Sequence, residues 1–276
     1  FLLFALGQFH TVRAMFLGSP AVVVGLLVAL GLLMVVREQY GVAGVFFGLS
    51  IIKPDLVVLL IPFVLIWGVS KRQLGMVLSI LVTGGLLVAG AFYFFPQWFL
   101  FNYFQFLDYF EHSFPASVNA IIWRWLPGFN PQVMVVIAVV LGLWLVLEWW
   151  RAFGKDSRHF LWTAALTLVF TNLIGVPTTL SNFVLLLIPL TLVFSIWVQR
   201  WRVTGVRITL VAMALLVGLE WGLSWLTMQA ELAGQAPASM LFVFPVVTLI
   251  LLYWVRYWSL NSIQLRTEHL EALRRL

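Results

Sequence analysis

The chain contains no cysteine. That excludes a disulfide framework, a cysteine-ligated zinc and thiol chemistry. Charge is nearly as scarce: 9% of the 276 residues are Asp, Glu, Lys or Arg, against about 25% in a soluble domain. So few charges cannot cover a water-facing surface. Acidic residues are the scarcer sign, 10 against 16 basic ones, for a formal charge of +6. No internal repeat and no low-complexity stretch is visible. What fills the chain instead is apolar: 63% hydrophobic, 16% aromatic and 14 Trp, with a mean hydropathy of +1.05. These values describe an all-α, polytopic transmembrane protein. In such a protein a basic excess faces anionic headgroups rather than nucleic acid.

A bilayer-spanning helix needs about 20 mostly apolar residues. The apolar runs between charges give about eight to nine hydrophobic segments of this kind, some shorter. Residues 1–17 form an irregular first segment, interrupted by Gly7, Gln8, His10 and Arg13. Residues 20–36 follow, opened by Pro20, then 41–69, 74–95, 131–150, 160–175, 180–198, 208–227 and 240–258. Residues 1–258 read as one membrane domain and 259–276 as a polar, amphipathic tail. The chain opens on Phe1 inside an apolar run with no signal-peptide pattern. The expectation is therefore that it starts part-way into a longer protein.

Short loops rich in Lys and Arg stay cytoplasmic. Arg37, Lys71–Arg72, Arg151 to Arg158, Arg200 to Arg207 and the tail all fall on one side by this rule. The loops 96–130, 176–179 and 228–239 hold Arg124 alone among basic residues. This places the protein in the cell membrane with its basic loops inside. Segment 41–69 has basic residues on the same side at both ends, so it must enter and return. Its arms, 41–52 and 55–69, would span about 18 and 22 Å. Lys53-Pro54-Asp55 would be the apex of this hairpin, with Pro54 in the first turn of the returning arm. A single long, Pro-kinked helix is the other reading, and it leaves Lys53 buried away from both interfaces.

Loop 96–130 is dense in aromatics, with Asp108, Glu111 and His112 its titratable cluster. It reads as an interfacial helix that anchors the chain or walls a site. Three titratable groups on one helical turn could bind a divalent ion or form a solvated face; the solvated face is the expectation, and no metal is assigned. No zinc, P-loop, Rossmann or nucleophile-elbow motif is present.

Intramembrane ionisable residues are functional candidates by default. Lys53 leads: a point charge at a helix start can bind a phosphate. Asp55 beside it pairs with Lys53, holds a metal or orients a hydroxyl; the structural alternative is N-terminal capping and charge neutralisation within the hairpin. Gln8 and His10 are polar groups in an apolar run and need partners. Arg13 is a second phosphate ligand candidate. Thr178, Thr179, Ser181 and Asn182 sit in a short uncharged external loop, where they contact a sugar or shape a turn. Glu220 lies inside a span with no adjacent cation. Glu148 has Arg151 close by.

The order ALGQFH (5–10), a span, a charged break at Arg37, then AGVFFGLSIIKPDLVVLLIPFVLIWG (43–68) and Lys71-Arg72 resembles glycosyltransferase family 87. That family belongs to the C-fold membrane glycosyltransferases that use polyprenyl-phosphate sugars. Gly7-Gln8, Gly44, Gly48, Lys53-Pro54 and Pro62 stand in the family's places. Asp55 departs from it, since the family often has a neutral residue there. The resemblance implies hexosyl or mannosyl transfer at the external face with inversion, from a polyprenyl-phosphate donor to a lipid or glycan acceptor, without a cofactor. Lys53 and Arg13 would meet the donor phosphate. Gln8, His10, Asp55, Thr178, Thr179 and Asn182 would make polar substrate contacts. The family's catalytic carboxylate belongs to the first external loop, expected upstream of Phe1, so no catalytic residue is assigned within the chain. A rival reading is a non-enzymatic lipid or sugar transporter, or an accessory membrane subunit. Transporters often show repeats and broken helices at the midplane; here there is one broken element.

Overall fold

The computed structural model describes residues 1–97, 131–174, 180–232 and 238–261, with side chains placed in 1–97, 136–174, 180–226 and 243–261. All regular structure among these residues is helical. In chain order the elements are α1 (Leu2–Gly7), α2 (Phe9–Phe16), α3 (Ala21–Val36), α4 (Tyr40–Ser50), α5 (Pro54–Val57), α6 (Leu60–Ser70) and α7 (Leu74–Phe94). Then come α8 (Pro131–Ala152), α9 (Ser157–Leu173), a 3-10 helix (Leu180–Leu186), α10 (Leu187–Leu232) and α11 (Ala238–Leu260). Three stretches of the described residues are long and apolar enough to cross a membrane: Leu74–Phe94, Leu180–Leu226 and Val243–Leu260. Helices α3, α4 and α6 are apolar but shorter.

The segment 41–69 is a hairpin. Gly44 of α4 and Gly68 of α6 both lie against Met76 of α7, so both arms pass the same level. Further along, Gly48 meets Ile80 and Thr83, so α4 and α7 run parallel. A Cβ on Gly44 would stand 2.4 Å from the Met76 carbonyl oxygen. Gly44 and Gly48 thus form a GxxxG seam that lets two backbones touch, the route to tight packing where lipid removes the hydrophobic drive. The returning arm, expected to be continuous, is broken. It starts as the single turn α5 and resumes at Leu60. Pro62 explains the gap: its ring clashes with the carbonyl four residues back, at Val58, and it is tolerated only in the first turn of α6.

Helix α10 also contains a break. Arg202 has φ 47 and ψ −116 inside it. A Cβ on Gly205 would lie 2.2 Å from the Trp197 carbonyl oxygen, although a continuous helix would separate those residues by about 12 Å. The chain therefore reverses at Arg202, and 187–201 and 203–232 are antiparallel arms. This matches the two spans expected at 180–198 and 208–227, joined by a tighter turn.

Helix α9 is the central strut. Residues Trp162 to Leu173 are all buried, and the helix packs on α3, α5, α6, α8, α10, α11 and the 3-10 helix. A helix apolar all round belongs in the middle of a bundle. Its polar side chains bond their own turns: Thr167 and Thr171 hydroxyls donate to the Thr163 and Thr167 carbonyls at 2.7 and 2.9 Å. One apolar core lies between α3–α7 and α9, a second between α9 and α1, α8, α10 and α11.

Basic residues gather at one end of the bundle. The Gly154 N–H donates to Ser70 Oγ at 3.1 Å, which brings the loop after α8 to the end of α6. Glu148 is 2% exposed there and accepts from Arg151 at 2.6 Å and from Arg256 at 2.8 Å. Arg151 is the local partner expected for Glu148. Arg256, from α11, is one that sequence distance concealed. The interfacial helix of loop 96–130, with Asp108, Glu111 and His112, falls almost entirely outside the described residues. The amphipathic tail lies outside them beyond Asn261.

Candidate functional site

The site is organised by the 3-10 helix Leu180–Leu186. A 3-10 helix turns about 120° per residue, so three consecutive side chains point three ways. Asn182 reaches the apex of the hairpin. Its Oδ1 accepts from Lys53 Nζ at 2.5 Å, and its Nδ2 donates to Asp55 Oδ2 at 3.0 Å. Lys53 Nζ and Asp55 Oδ2 are 3.8 Å apart. Phe183 meets the His10 ring edge-on at 5.0 Å. Val184 lies against Gly25 of α3 and lines a groove.

Lys53 is the residue between the two arms, with φ −128 and ψ 86. Pro54 follows at the start of α5, as expected from its missing N–H. Because α5 has four residues, a helix dipole adds little here, and the ammonium itself carries the charge. The side chains of Lys53 and Asp55 are 21% and 29% exposed. The cation is thus half-buried and reachable, oriented by a neutral amide rather than locked against a carboxylate.

The groove has a volume of about 510 Å³ and is almost wholly apolar. It runs along α3 from Val22 to Val36, facing α2, α9 and the first arm of α10. Thr11 of α2 and Thr191 of α10 are the polar residues of its lining; the Thr191 hydroxyl donates to the Leu187 carbonyl, whereas Thr11 Oγ1 is buried and unbonded among the described residues.

The first segment breaks at Gln8, whose ψ of 135 separates α1 from α2. The second arm of α10 grips both sides of that break. Glu220 Oε2 accepts from the Phe9 N–H at 3.1 Å, and Trp221 Nε1 donates to the Gly7 carbonyl at 2.9 Å. Gln8 itself is fully buried, and among the described residues neither atom of its amide has a partner. His10, 1% exposed, is enclosed by Phe9, Phe183 and Phe244.

The family model of glycosyltransferase family 87 matches residues 1–177. The chain belongs to glycosyltransferase family 87. No curated protein and no solved structure matches it. Membership implies a membrane glycosyltransferase that takes a sugar donor and an acceptor. In this family 87 chain the structure joins Lys53, Asp55 and Asn182 in one triad. Asn182 lies beyond the matched region, so the triad links the family block to the later helices. His10 reaches the same 3-10 helix through Phe183. Arg13 is exposed on α2 and stands outside the triad. Thr178 and Thr179 lie outside the described residues. Glu220 and Trp221 emerge as supports of Gln8. Their sequence signal was one acid inside an apolar span, which shows that a partner is needed but not which.

Proposed function

We propose that the protein transfers a hexosyl group, such as mannosyl, from a polyprenyl-phosphate-linked donor to a lipid or glycan acceptor. One observation carries this reading: a half-buried Lys53 ammonium, aimed by Asn182, on a bundle that also holds a long apolar groove. A lipid-linked sugar phosphate has the two matching parts, an anion and an apolar tail.

The ammonium binds the donor phosphate as a point charge. Asp55 is its counter-ion before the donor arrives, and Asn182 keeps the lysine from collapsing onto that carboxylate. The acceptor hydroxyl attacks the anomeric carbon from the face opposite the phosphate, which inverts it. The bond from that carbon to the phosphate oxygen breaks, and the lipid phosphate leaves with the electron pair. Lys53 stabilises the charge that develops on it. The hydroxyl proton passes to a carboxylate, which in the family pattern belongs to the first external loop. Gln8 and His10 offer polar contacts to the sugar, Arg13 is a second ligand for the donor phosphate, and Thr178 and Thr179 make further sugar contacts. By the positive-inside rule the basic end is cytoplasmic, which puts the chemistry at the external face.

The test is Lys53→Ala in the complete protein, scored as transfer of labelled hexose from its polyprenyl phosphate. Transfer is expected to vanish while membrane insertion stays normal. Normal activity in that variant would remove Lys53 from the mechanism.

A further inference from the structure

The basic end of the bundle carries a second cavity, a cleft of about 390 Å³. Its walls come from the start of α9, the end of the first α10 arm and the end of α11. Arg158, Gln199, Trp258 and Asn261 give it a polar lining. Arg200 is a second cation beside the lining residue Trp258, its guanidinium 5.9 Å from that ring centre. The inner wall is apolar, and two of its residues, Leu161 and Leu192, also line the long groove. A polar, cationic cleft therefore adjoins an apolar channel, with Leu161 and Leu192 between the two. That is the shape and charge of one amphiphile with an anionic head and a hydrocarbon chain.

We infer that this cleft binds an anionic phospholipid of the leaflet that meets the basic end. The phosphate lies at Arg158 and Arg200, with Gln199 and Asn261 available to headgroup hydroxyls. An acyl chain passes between Leu161 and Leu192 into the adjoining stretch of the groove. Trp258 sits at the boundary between head and chain, the level that indole rings favour. The acyl chain would share the groove that the glycosyl-transfer reading gives to the donor's tail, whereas the headgroup site is separate from Lys53. It lies at the basic end, whereas the Lys53 apex lies at the far tip of a hairpin whose two ends are basic.

The complete protein, purified from mixed phosphatidylglycerol and phosphatidylcholine vesicles, should retain phosphatidylglycerol preferentially when bound lipid is counted by mass spectrometry. A basic side chain near a membrane surface is worth a factor of about five in binding an anionic lipid. Arg158→Ala should lower the preference by about that factor, and Arg158→Lys should restore most of it. Arg72→Ala, basic but outside the cleft, should leave the preference unchanged. Leu192→Trp should reduce retention by blocking the passage to the groove without removing charge. An equal loss in Arg72→Ala would mean a diffuse surface potential and overturn the site. Displacement of the lipid by millimolar inorganic phosphate would mean a free-anion site and overturn the lipid assignment. Equal retention of the two lipids would overturn it as well.

Discussion

Two clusters of charge sit at opposite ends of the hairpin axis and are built on different rules. At the basic end, Glu148 is 2% exposed and each carboxylate oxygen has its own arginine, at 2.6 and 2.8 Å. Arg256 also stacks over Trp162 at 5.0 Å. That cluster is saturated, and it ties α8 to α11. At the apex, Lys53 and Asp55 are 3.8 Å apart and share one neutral amide, with side chains 21% and 29% exposed. A closed ion cluster spends its hydrogen-bonding capacity on the fold. A loosely bridged one keeps a cation that an incoming anion can engage. The difference separates a structural from a functional reading of two groups that look alike by residue type.

The largest expected effect tests the apex. Asn182→Ala should reduce glycosyl transfer by at least about 100-fold, the scale of losing an aimed electrostatic contact in the transition state, with little change in thermal stability. Asn182→Asp should be nearly as inactive, because a second carboxylate would hold the ammonium. Transfer near the parent level in either variant would erase the contrast with the basic end. There the opposite pattern is expected. Arg256→Met leaves the buried Glu148 with one partner and should cost about 3 kcal/mol of stability, read as unfolding in detergent. Arg151→Ala should cost less than about 1 kcal/mol, because that arginine is 61% exposed.

A further variant tests the support of the break at Gln8. Glu220→Ala removes the acceptor of the Phe9 N–H and should cost about 1–3 kcal/mol. Glu220→Gln keeps an oxygen in place and should recover most of that loss. The smallest effect belongs to the solvent side of the basic end. Asp156 caps α9, accepting from the His159 backbone N–H at 3.3 Å and contacting its ring at 2.5 Å. Partial burial raises the Asp156 pKa, but the hydrogen bonds and positive charges of His159 and Arg158 outweigh it, and the net direction is down. A carboxyl lowered in the folded state contributes stability above its unfolded pKa of about 4 and loses it as pH falls through the folded value. Stability should therefore be flat in this respect from pH 8 to 5 and decline only below about pH 4. Asp156→Ala should cost about 1 kcal/mol at neutral pH and abolish that acid limb in a pH series of melting curves.

Much of the frame was legible from residue order. The spans expected at 20–36, 74–95, 131–150 and 240–258 agree with α3, α7, α8 and α11 within a few residues. The entering and returning hairpin followed from Arg37 and Lys71–Arg72 alone. Lys53 was singled out because an isolated cation in an apolar run is costly wherever it ends up. The break before Pro62 was readable in principle, since a proline denies its own i−4 hydrogen bond, yet the returning arm was expected to be continuous. The partners were not legible. Lys53 and Asn182 are 129 positions apart, Phe9 and Glu220 211, and Glu148 and Arg256 108.

By itself the sequence determined the class, the spans, the hairpin and the residues that must find partners. Those properties are local: transfer into a bilayer is nearly additive over a run of residues, and charge bias acts on each loop separately. Tertiary structure alone decided which groups meet. It placed Asn182, Phe183 and Val184 on three walls through the pitch of one 3-10 turn, and it closed one ion cluster while leaving the other open. Such contacts depend on backbones packing at atomic distance, as at Gly44 and Gly205, and no local pattern encodes the position of a partner more than a hundred residues away.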